Sequence, residues 1–329
     1  MDTQVLSTSE EDLQIAADII KKGGIVAFPT ETVYGLGADA FNQKALKKIY
    51  IAKESPSNIP MIVHIAAQEQ LWLVGGDIPN IAYELADEFW PGPLTMIIGK
   101  NPAIHKLVNG GLNTVAVRMP KHPVARKLIE LSGPIAAPSA NISGKPSSTK
   151  GKHIIKELSG KVDAIINDGN VDFGIESTII DLTKCPYILL RPGKVTFEEL
   201  EKFLGEGNLV KEDSDISKKQ AKVCPGADYA QYAPSAKVIL APADKIDGFL
   251  KDFQNGEIIV VAKKMYDYEH VRKNFVFTSK EELAKNIFDW FRTVDRFGVK
   301  TVIIEKVDEV GLGLAVMHRL KKAANEIIE

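Results

Sequence analysis

Hydroxyl and guanidinium side chains border five short apolar segments of this 329-residue sequence. Apolar runs of this length, bounded by glycine, proline or polar residues, predict buried strands. An open α/β sheet binds its ligand where strands end, and such side chains can donate hydrogen bonds to phosphate or carboxylate groups. The five candidates are Thr30 after 25–28, Arg118 after 115–117, Ser139 after 135–137, Ser177 before 178–180 and Arg191 after 188–190.

Each of these segments also has a purely structural interpretation. Residues 29–32 and 138–141 are typical of polar turns, and an arginine after a strand often forms an ion pair within the protein. Gly35 and Gly37, which follow the first turn, would allow the backbone to approach a ligand closely. Because one arrangement recurs along the chain, we expect the strand ends to converge if the strands share a sheet.

Several common catalytic motifs are missing from the sequence. The Walker A pattern GxxxxGK[ST] does not occur, so an ATP site here would not be a P-loop. The six histidines show no HxxxH or HExxH spacing, and we expect no metal held by the protein alone. No nucleophilic triad is apparent. Donors and cations outnumber candidate bases at the strand ends, which favours positioning and charge stabilisation in phosphoryl or nucleotidyl transfer over acid–base hydrolysis.

Composition and charge are those of an ordinary globular protein. Hydrophobic residues make up 45% and charged residues 26%, with a net charge of -2. Proteins that grip nucleic acid alone usually carry a basic surplus, so we expect no stable tRNA binding. The N-terminus does not resemble a signal peptide and no apolar run approaches the roughly 20 residues that span a bilayer, which predicts a cytoplasmic protein without membrane contact. Cys185 and Cys224 are expected to be reduced, buried thiols.

Helical and strand patterns alternate unevenly along the chain. This predicts an α/β fold with a mixed sheet instead of a regular doubly wound one. Thr8 and Glu11 predict a capping box for the first helix, and Leu13, Ala16, Ala17 and Ile20 predict its apolar face. Thr196 with Glu199 predicts the cap of a later helix, and the periodicity of 314–327 predicts a last helix. Residues 205–222 lose this periodicity. We therefore divide the chain into a domain at 1–205, a linker or lid loop at 206–236 and a small α/β domain at 237–329.

A set of motifs, in this order, resembles the YrdC-type threonylcarbamoyl-AMP synthases. The motifs are 23–37 (GGIVAFPTETVYGLG), 90–95 (WPGPLT), 114–120 (TVAVRMP), 137–141 (APSAN) and 176–179 (ESTI). Residues 225–226 (PG), 232–234 (YAP) and 311–317 (GLGLAVM) are similar to the longer, two-domain branch of the family. The resemblance implies a large YrdC-like domain with a twisted mixed sheet and a small C-terminal Rossmann-like open-sheet domain.

The resemblance also implies a reaction and its partners. Bicarbonate and L-threonine would form N-carboxy-threonine, which attacks the α-phosphorus of ATP and releases pyrophosphate, with Mg²⁺ on the phosphates. The product, L-threonylcarbamoyl-AMP, would pass to a separate tRNA threonylcarbamoyltransferase that modifies adenosine 37 of tRNA.

Site residues follow from the resemblance motif by motif. Residues similar to the threonine-binding set are Thr30, His64, Arg118, Ser139 and Ser177. Residues similar to the ATP-binding set are Lys53, Ser57, Thr114, Asn141, Ser147, Arg191 and Tyr232. The local pattern supports the serines and arginines independently. For His64, within an apolar strand, it favours a core histidine instead.

Two positions depart from the family pattern. Ser55 stands where the family usually has an arginine two residues after Lys53, and Gln231 replaces the usual histidine before Tyr232. A missing cation in a dry site can weaken transition-state stabilisation by a few kcal/mol. The long loop that ends at Tyr232 is expected to fold over the bound nucleotide, since loops of this length are often functional.

Two other functions remain open from the sequence. One is a carbamoyl-adenylate step, as in the YrdC-like modules of hydrogenase-maturation carbamoyltransferases, although those lie in longer chains with zinc-finger and acylphosphatase-like regions. The other is a non-enzymatic RNA-binding module, which the net charge of -2 disfavours. A salt titration of RNA binding discriminates between the module and an enzyme.

Overall fold

The protein is described here from a computed structural model, which covers residues 2–211 and 232–329. The strands within these residues are β1 (Gln4–Leu6), β2 (Val26–Phe28), β3 (Gly35–Asp39), β4 (Ile62–His64), β5 (Leu94–Gly99), β6 (Thr114–Arg118), β7 (Ile135–Ala137), β8 (Ala164–Ile166), β9 (Thr178–Asp181), β10 (Tyr187–Arg191), β11 (Leu209–Lys211), β12 (Lys237–Ala241), β13 (Ile258–Ala262), β14 (Val271–Val276), β15 (Thr301–Glu305) and β16 (Glu326–Ile327).

The helices connect these strands unevenly. They are α1 (Glu10–Lys21), α2 (Gln43–Ala52), α3 (Leu71–Val74), α4 (Asn80–Phe89), α5 (Lys106–Asn109), α6 (Pro123–Ser132), α7 (Gly151–Leu158), α8 (Phe197–Leu204), α9 (Ala243–Asp252), α10 (Lys280–Phe297) and α11 (Leu312–Ala323), with a short 3-10 helix at Gln68–Gln70. Among the described residues, no helix combines the length and the apolarity that crossing a membrane requires.

The strands form two sheets. The first has the order β1-β8-β2-β3-β7-β4-β6-β5-β9-β10-β11 and contains both parallel and antiparallel pairs. The second has the order β14-β13-β15-β12-β16, and all its pairs are parallel. The expected mixed sheet and the smaller open-sheet domain are both confirmed.

The large sheet is covered on both faces, because residues of its central strands alternate between two cores. Val26 and Phe28 of β2 pack with α1 and α6, whereas Ala27 belongs to the cluster that includes residues of α2 and α4. The apolar face of α1 is the one that the sequence predicts, with Leu13, Ala16, Ala17 and Ile20 buried.

The start of α1 differs by one residue from the prediction. Ser9, not Thr8, caps this helix and accepts a hydrogen bond from the Asp12 backbone N–H. The Asp12 carboxylate in turn accepts from the Ser7 backbone N–H at 2.6 Å and from its hydroxyl at 2.5 Å. These bonds fix the turn before the helix, so that Ser9 falls at the capping position.

Three further expectations are corrected. Gly35 and Gly37 lie within strand β3. A Cβ on Gly37 would come within 2.5 Å of Ile135, so this glycine serves strand packing, whereas Gly35 lines the cavity described below. The last helix ends at Ala323, and Glu326–Ile327 adds a strand beside β12. Cys185 is exposed in the short β9–β10 loop, and Cys224 lies outside the described residues.

The expected loop at 206–236 lies mostly outside the described residues. Within it, Leu209–Lys211 forms β11, which pairs in parallel with β10 of the large sheet. Gln231 also lies outside the described residues, as do residues 225–226. Tyr232, at the end of the loop, is buried and stacks on Phe288 of α10 with ring centroids 5.3 Å apart. The domain limits and the loop that covers the nucleotide stay predictions.

The small domain docks against the large one through α10 and α11. Asp289 of α10 pairs with Lys150 at 2.8 Å and with His153 at 2.9 Å. Arg292 pairs with Glu157 at 2.5 Å. Arg319 of α11 is entirely buried against the large domain. These contacts bring the second domain directly behind the cavity described next.

Candidate active site

One cavity is lined by all five of the expected strand-end residues. It is bordered by β4, by the turns after β2 and β7, and by residues at the ends of β6, β9 and β10. Those of the residues implied by the resemblance that line it are Thr30, His64, Arg118, Ser139, Ser177, Arg191 and Tyr232.

The strands that bring these residues together do not all run the same way. β4 and β6 are parallel, with His64 directly opposite Arg118. β7 is antiparallel to β4, with Ala137 opposite Ile62. Arg118 therefore ends one strand and Ser139 follows another that points in the opposite direction. A cavity lined by both extends along the short β4 strand. The expected convergence occurs, although not at a single edge of the sheet.

Arg118 is held in a buried ion pair. Its Nη2 lies 2.5 Å from the Glu31 Oε1, and both side chains are almost fully buried. Its Nε donates to the Gly92 carbonyl at 3.1 Å and its Nη1 to the Thr32 hydroxyl at 2.9 Å. Burial opposes ionisation of Glu31, but the charge of Arg118, together with hydrogen bonds from the Lys121 backbone and from Arg118, outweighs it and lowers the pKa of the carboxyl group. The site thus contains a fixed, charged guanidinium.

Ser177 and Arg191 form a second buried group on the cavity wall. The Ser177 and Thr95 hydroxyls are 2.8 Å apart. Arg191 donates from Nε to the Ser177 carbonyl at 3.0 Å and from Nη2 to its hydroxyl at 3.1 Å. The antiparallel pairing of β9 and β10 places the two residues side by side. A hydroxyl and a guanidinium so arranged can donate together to one oxyanion.

His64 lines the cavity as a neutral ring. Its Nδ1 lies 3.1 Å from the Ile62 carbonyl, and the ring packs edge-on against Phe28. Burial, together with the positive charge of Arg118, lowers its pKa to about 3. The imidazole is therefore uncharged near neutral pH, where it can hydrogen-bond but cannot supply a positive charge.

A second cavity adjoins the first and shares Met61, Pro138, Ser139 and Tyr232 with it. Lys53 and Asn141 line this second cavity. The buried Lys53 ammonium donates to the carbonyls of Ser139 at 2.5 Å and Asn141 at 2.6 Å. The two cavities together form one elongated site with cations along its length.

The remaining residues implied by the resemblance lie apart from these two cavities. Ser57 lines a third, outer cavity together with Ser55. Thr114 begins β6, opposite Gly99, at the far end of that strand from Arg118. Ser147 is fully buried, and its hydroxyl donates to Glu176 Oε1 at 2.5 Å. Which ligand each of the twelve residues contacts stays a prediction.

Sequence reasoning assigned no role to Glu31 or Glu176, although both lie inside the recognised motifs. Glu176 lines the first cavity and accepts hydrogen bonds from Ser147 and, at 2.9 Å, from Arg319 Nε. The available signal was a glutamate directly beside a candidate hydroxyl residue, Thr30 or Ser177. In the part of the chain that the structure describes, no group of three His, Cys, Asp or Glu side chains could hold a metal ion.

Two family models match this chain and together cover most of it. The model described as "Telomere recombination", which carries the names Sua5, YciO and YrdC, matches residues 18–193. The model described as "Threonylcarbamoyl-AMP synthase, C-terminal domain" matches residues 195–325.

Relatives with this two-part organisation extend the match to the full length. A threonylcarbamoyl-AMP synthase from Pyrococcus abyssi is 46% identical, with 96% of this chain and 94% of the relative covered. One from Bacillus subtilis is 41% identical, with 98% and 95% covered. The crystal structure of P. abyssi Sua5 in complex with L-threonine matches with a TM-score of 0.90 at 43% identity, and covers 99% of this chain and 100% of that one.

Proposed function

The chain belongs to the threonylcarbamoyl-AMP synthase family, and on that premise we propose that it makes L-threonylcarbamoyl-AMP from L-threonine, bicarbonate and ATP, with release of pyrophosphate. The observation that carries the proposal is the elongated cavity pair, in which fixed donors and cations surround a space next to the buried Lys53. Nucleotidyl transfer needs this kind of positioning and charge stabilisation more than it needs acid–base groups.

The threonine side of the reaction fits the first cavity. Its wall offers the Arg118 guanidinium and the hydroxyls of Thr30, Ser139 and Ser177, which suit a carboxylate and a hydroxyl of a small polar amino acid. The amine of threonine and bicarbonate join with loss of water to give N-carboxy-threonine.

The nucleotide side fits the second cavity and the wall formed by Arg191. A carbamate oxygen of N-carboxy-threonine forms a bond to the α-phosphorus, and the bond from that phosphorus to the pyrophosphate oxygen breaks. Lys53 and Arg191 are placed to offset the negative charge on the phosphates as this happens. Mg²⁺ enters as part of the ATP substrate, since it commonly binds through substrate phosphates.

Downstream, the product is a reactive mixed anhydride that a separate tRNA threonylcarbamoyltransferase consumes to modify adenosine 37. We expect both steps to take place in the cytoplasm. Neither the transferase nor a tRNA needs to bind for the adenylate to form.

The experiment combines the purified protein with ATP, Mg²⁺, bicarbonate and L-threonine, and follows pyrophosphate release while mass spectrometry detects the adenylate. Release should require threonine and bicarbonate together, because neither alone supplies the attacking carbamate. Serine in place of threonine and a bicarbonate-depleted buffer serve as controls. Equal release from ATP alone would identify an ordinary ATPase and reject the proposal.

A further inference from the structure

Arg319 of α11 extends from the second domain to the wall behind the first cavity. We propose that Arg319 is a positioning residue for adenylate formation: from behind the cavity wall, it fixes the two chain segments that carry Ser177 and Arg191. This inference rests on the proposed function. It gives the C-terminal domain a role in positioning the residues at which the adenylate forms.

Arg319 has no exposed surface at all and bridges the two segments at once. On one side, its Nε donates to the Glu176 carboxylate at 2.9 Å and its Nη2 to the Glu176 carbonyl at 3.3 Å. On the other side, its Nη1 donates to the Pro192 carbonyl at 2.6 Å. Glu176 precedes Ser177 and Pro192 follows Arg191, so the guanidinium holds the immediate neighbours of both cavity residues.

The geometry needs an arginine. Three donors on one rigid plane meet three acceptors in the segments before β9 and after β10, an arrangement that the single ammonium of a lysine cannot reproduce. The same guanidinium lies 6.0 Å from the ring centroid of Tyr232, which lines both cavities. Arg319 is thus in contact with three parts of the wall without itself lining the cavity.

The carboxylate of Glu176 depends on this partner for its charge. Burial by itself would raise its pKa, but the charges of Arg319 and then Arg191, with the hydrogen bonds from Ser147 and Arg319, lower it. His318 is also close, with its Nδ1 3.0 Å from Arg319 Nη1, and burial keeps that histidine uncharged by lowering its pKa to about 2. Without Arg319, the buried Glu176 carboxyl would lose the larger of these two stabilising charges.

The test compares full-length Arg319→Lys, Arg319→Met and the double variant Arg319→Met/Glu176→Gln with the wild type. Asp289→Asn is the matched control, because it removes interdomain ion pairs with Lys150 and His153 that do not reach the cavity. The measurements are kcat and KM for ATP and threonine from pH 5 to 9, with melting temperature and circular dichroism for each variant.

We expect Arg319→Lys to remain folded and to lose at least fivefold in kcat/KM, and Arg319→Met to lose at least tenfold in kcat. In Arg319→Met the pKa of Glu176 should rise. As the pH is lowered, activity should therefore begin to fall at a higher pH than in the wild type, which adds an acid limb to the pH profile. The double variant has no titrating carboxyl at this position, so its pH profile should lack the acid limb and its melting temperature should return toward that of the wild type. Its kcat should nevertheless stay low. Asp289→Asn should stay within twofold of the wild type.

Folded Arg319→Lys with wild-type kinetics would overturn the inference, as would an Arg319→Met protein with an unshifted pH profile. If Arg319→Met does not fold, Arg319→Lys and the double variant test the role of Arg319 instead, since neither leaves an unpaired buried carboxylate. A wild type that forms no adenylate rejects the proposed function instead. The two failures are therefore distinguishable.

Discussion

At the scale of single residues, the site is held together by buried ion pairs that tie its arginines to neighbouring acids. Arg118 pairs with Glu31 and Arg319 with Glu176. Removing one partner of such a pair leaves an unpaired buried charge and typically costs about 3–5 kcal/mol. The sequence left open whether Arg118 binds a ligand or makes a structural ion pair, and the geometry combines the ion pair with a place on the cavity wall. The cation is therefore fixed before any substrate arrives.

The protonation of Lys53 gives a testable prediction at the scale of single residues. Burial lowers its pKa to about 7, while the nearby Glu157 carboxylate acts in the opposite direction. Bound phosphates would favour the charged form, so ATP binding should take up a proton above that pH. We expect the Kd for ATP to rise by about tenfold between pH 6.5 and 8.5, as the lysine of the free protein loses its proton.

Isothermal titration calorimetry in buffers of different ionisation enthalpy measures both the affinity and the proton uptake. Lys53→Met is the matched control, because it keeps an apolar stem of similar length and leaves only the titration of ATP itself. Identical pH slopes for the two proteins would show that Lys53 does not titrate in this range or does not face the nucleotide.

At the scale of elements, sequence reasoning succeeded where the apolar period was strong and failed where pairing partners were distant. The buried face of α1 and the Thr196–Glu199 capping box of α8 agree with expectation. β3 was missed because its glycines are typical of loops, although β2 and β7 pair with it on both sides. β16 was missed because two residues gain strand geometry only from their contact with β12.

The candidate site shows the same contrast between residues that a local pattern predicts and contacts between distant segments, which no local pattern predicts. Residues at strand ends could be selected from local pattern, because each follows or precedes an apolar run. Arg319 carries no local signal: it lies on a helix, and its partner Glu176 is 143 positions away in the sequence. Interactions that depend on how two domains dock leave no periodicity or spacing in either segment.

The turn after α2 gives the prediction at this scale. α2 ends at Ala52, and Glu54 adopts a left-handed φ of 53° that turns the chain back toward the second cavity. Ser55 then lines this cavity beside Lys53. Ser55→Arg should therefore add a cation next to the phosphates, and we expect at least a threefold lower Kd for ATP or a matching gain in turnover.

Ser159→Arg is the control for Ser55→Arg, because it adds the same charge at an exposed position at the end of α7. Nucleotide titration and steady-state kinetics at two salt concentrations compare the variants. If Ser55→Arg improves neither quantity, or if Ser159→Arg improves both equally, another residue already supplies the cation that the family pattern places here.

At the scale of the whole molecule, charge is balanced overall but not locally. The chain carries a net charge of -2. A groove between α7 and α10 nevertheless contains more basic than acidic side chains, and its charged lining is Lys145, Lys152, Lys156, Glu157, Arg292, Asp295 and Arg296. Part of this charge is already neutralised, since Arg292 pairs with Glu157 at 2.5 Å. What remains is a small patch on an otherwise neutral protein.

A patch of this size should give tRNA only weak, salt-sensitive contact. We expect adenylate synthesis to proceed at the same rate with and without tRNA, and binding to tRNA to be weaker than about 10 μM at 150 mM salt, as for non-specific association. Lys152→Glu with Lys156→Glu should reduce the binding that remains at 50 mM salt and leave adenylate synthesis within twofold. Fluorescence anisotropy across a salt series, with pyrophosphate release measured in parallel, checks both parts. Nanomolar affinity at 150 mM salt, or synthesis that tRNA accelerates, would mean that the protein delivers its product while bound to tRNA, because only a specific interface produces such values on a chain without a basic surplus.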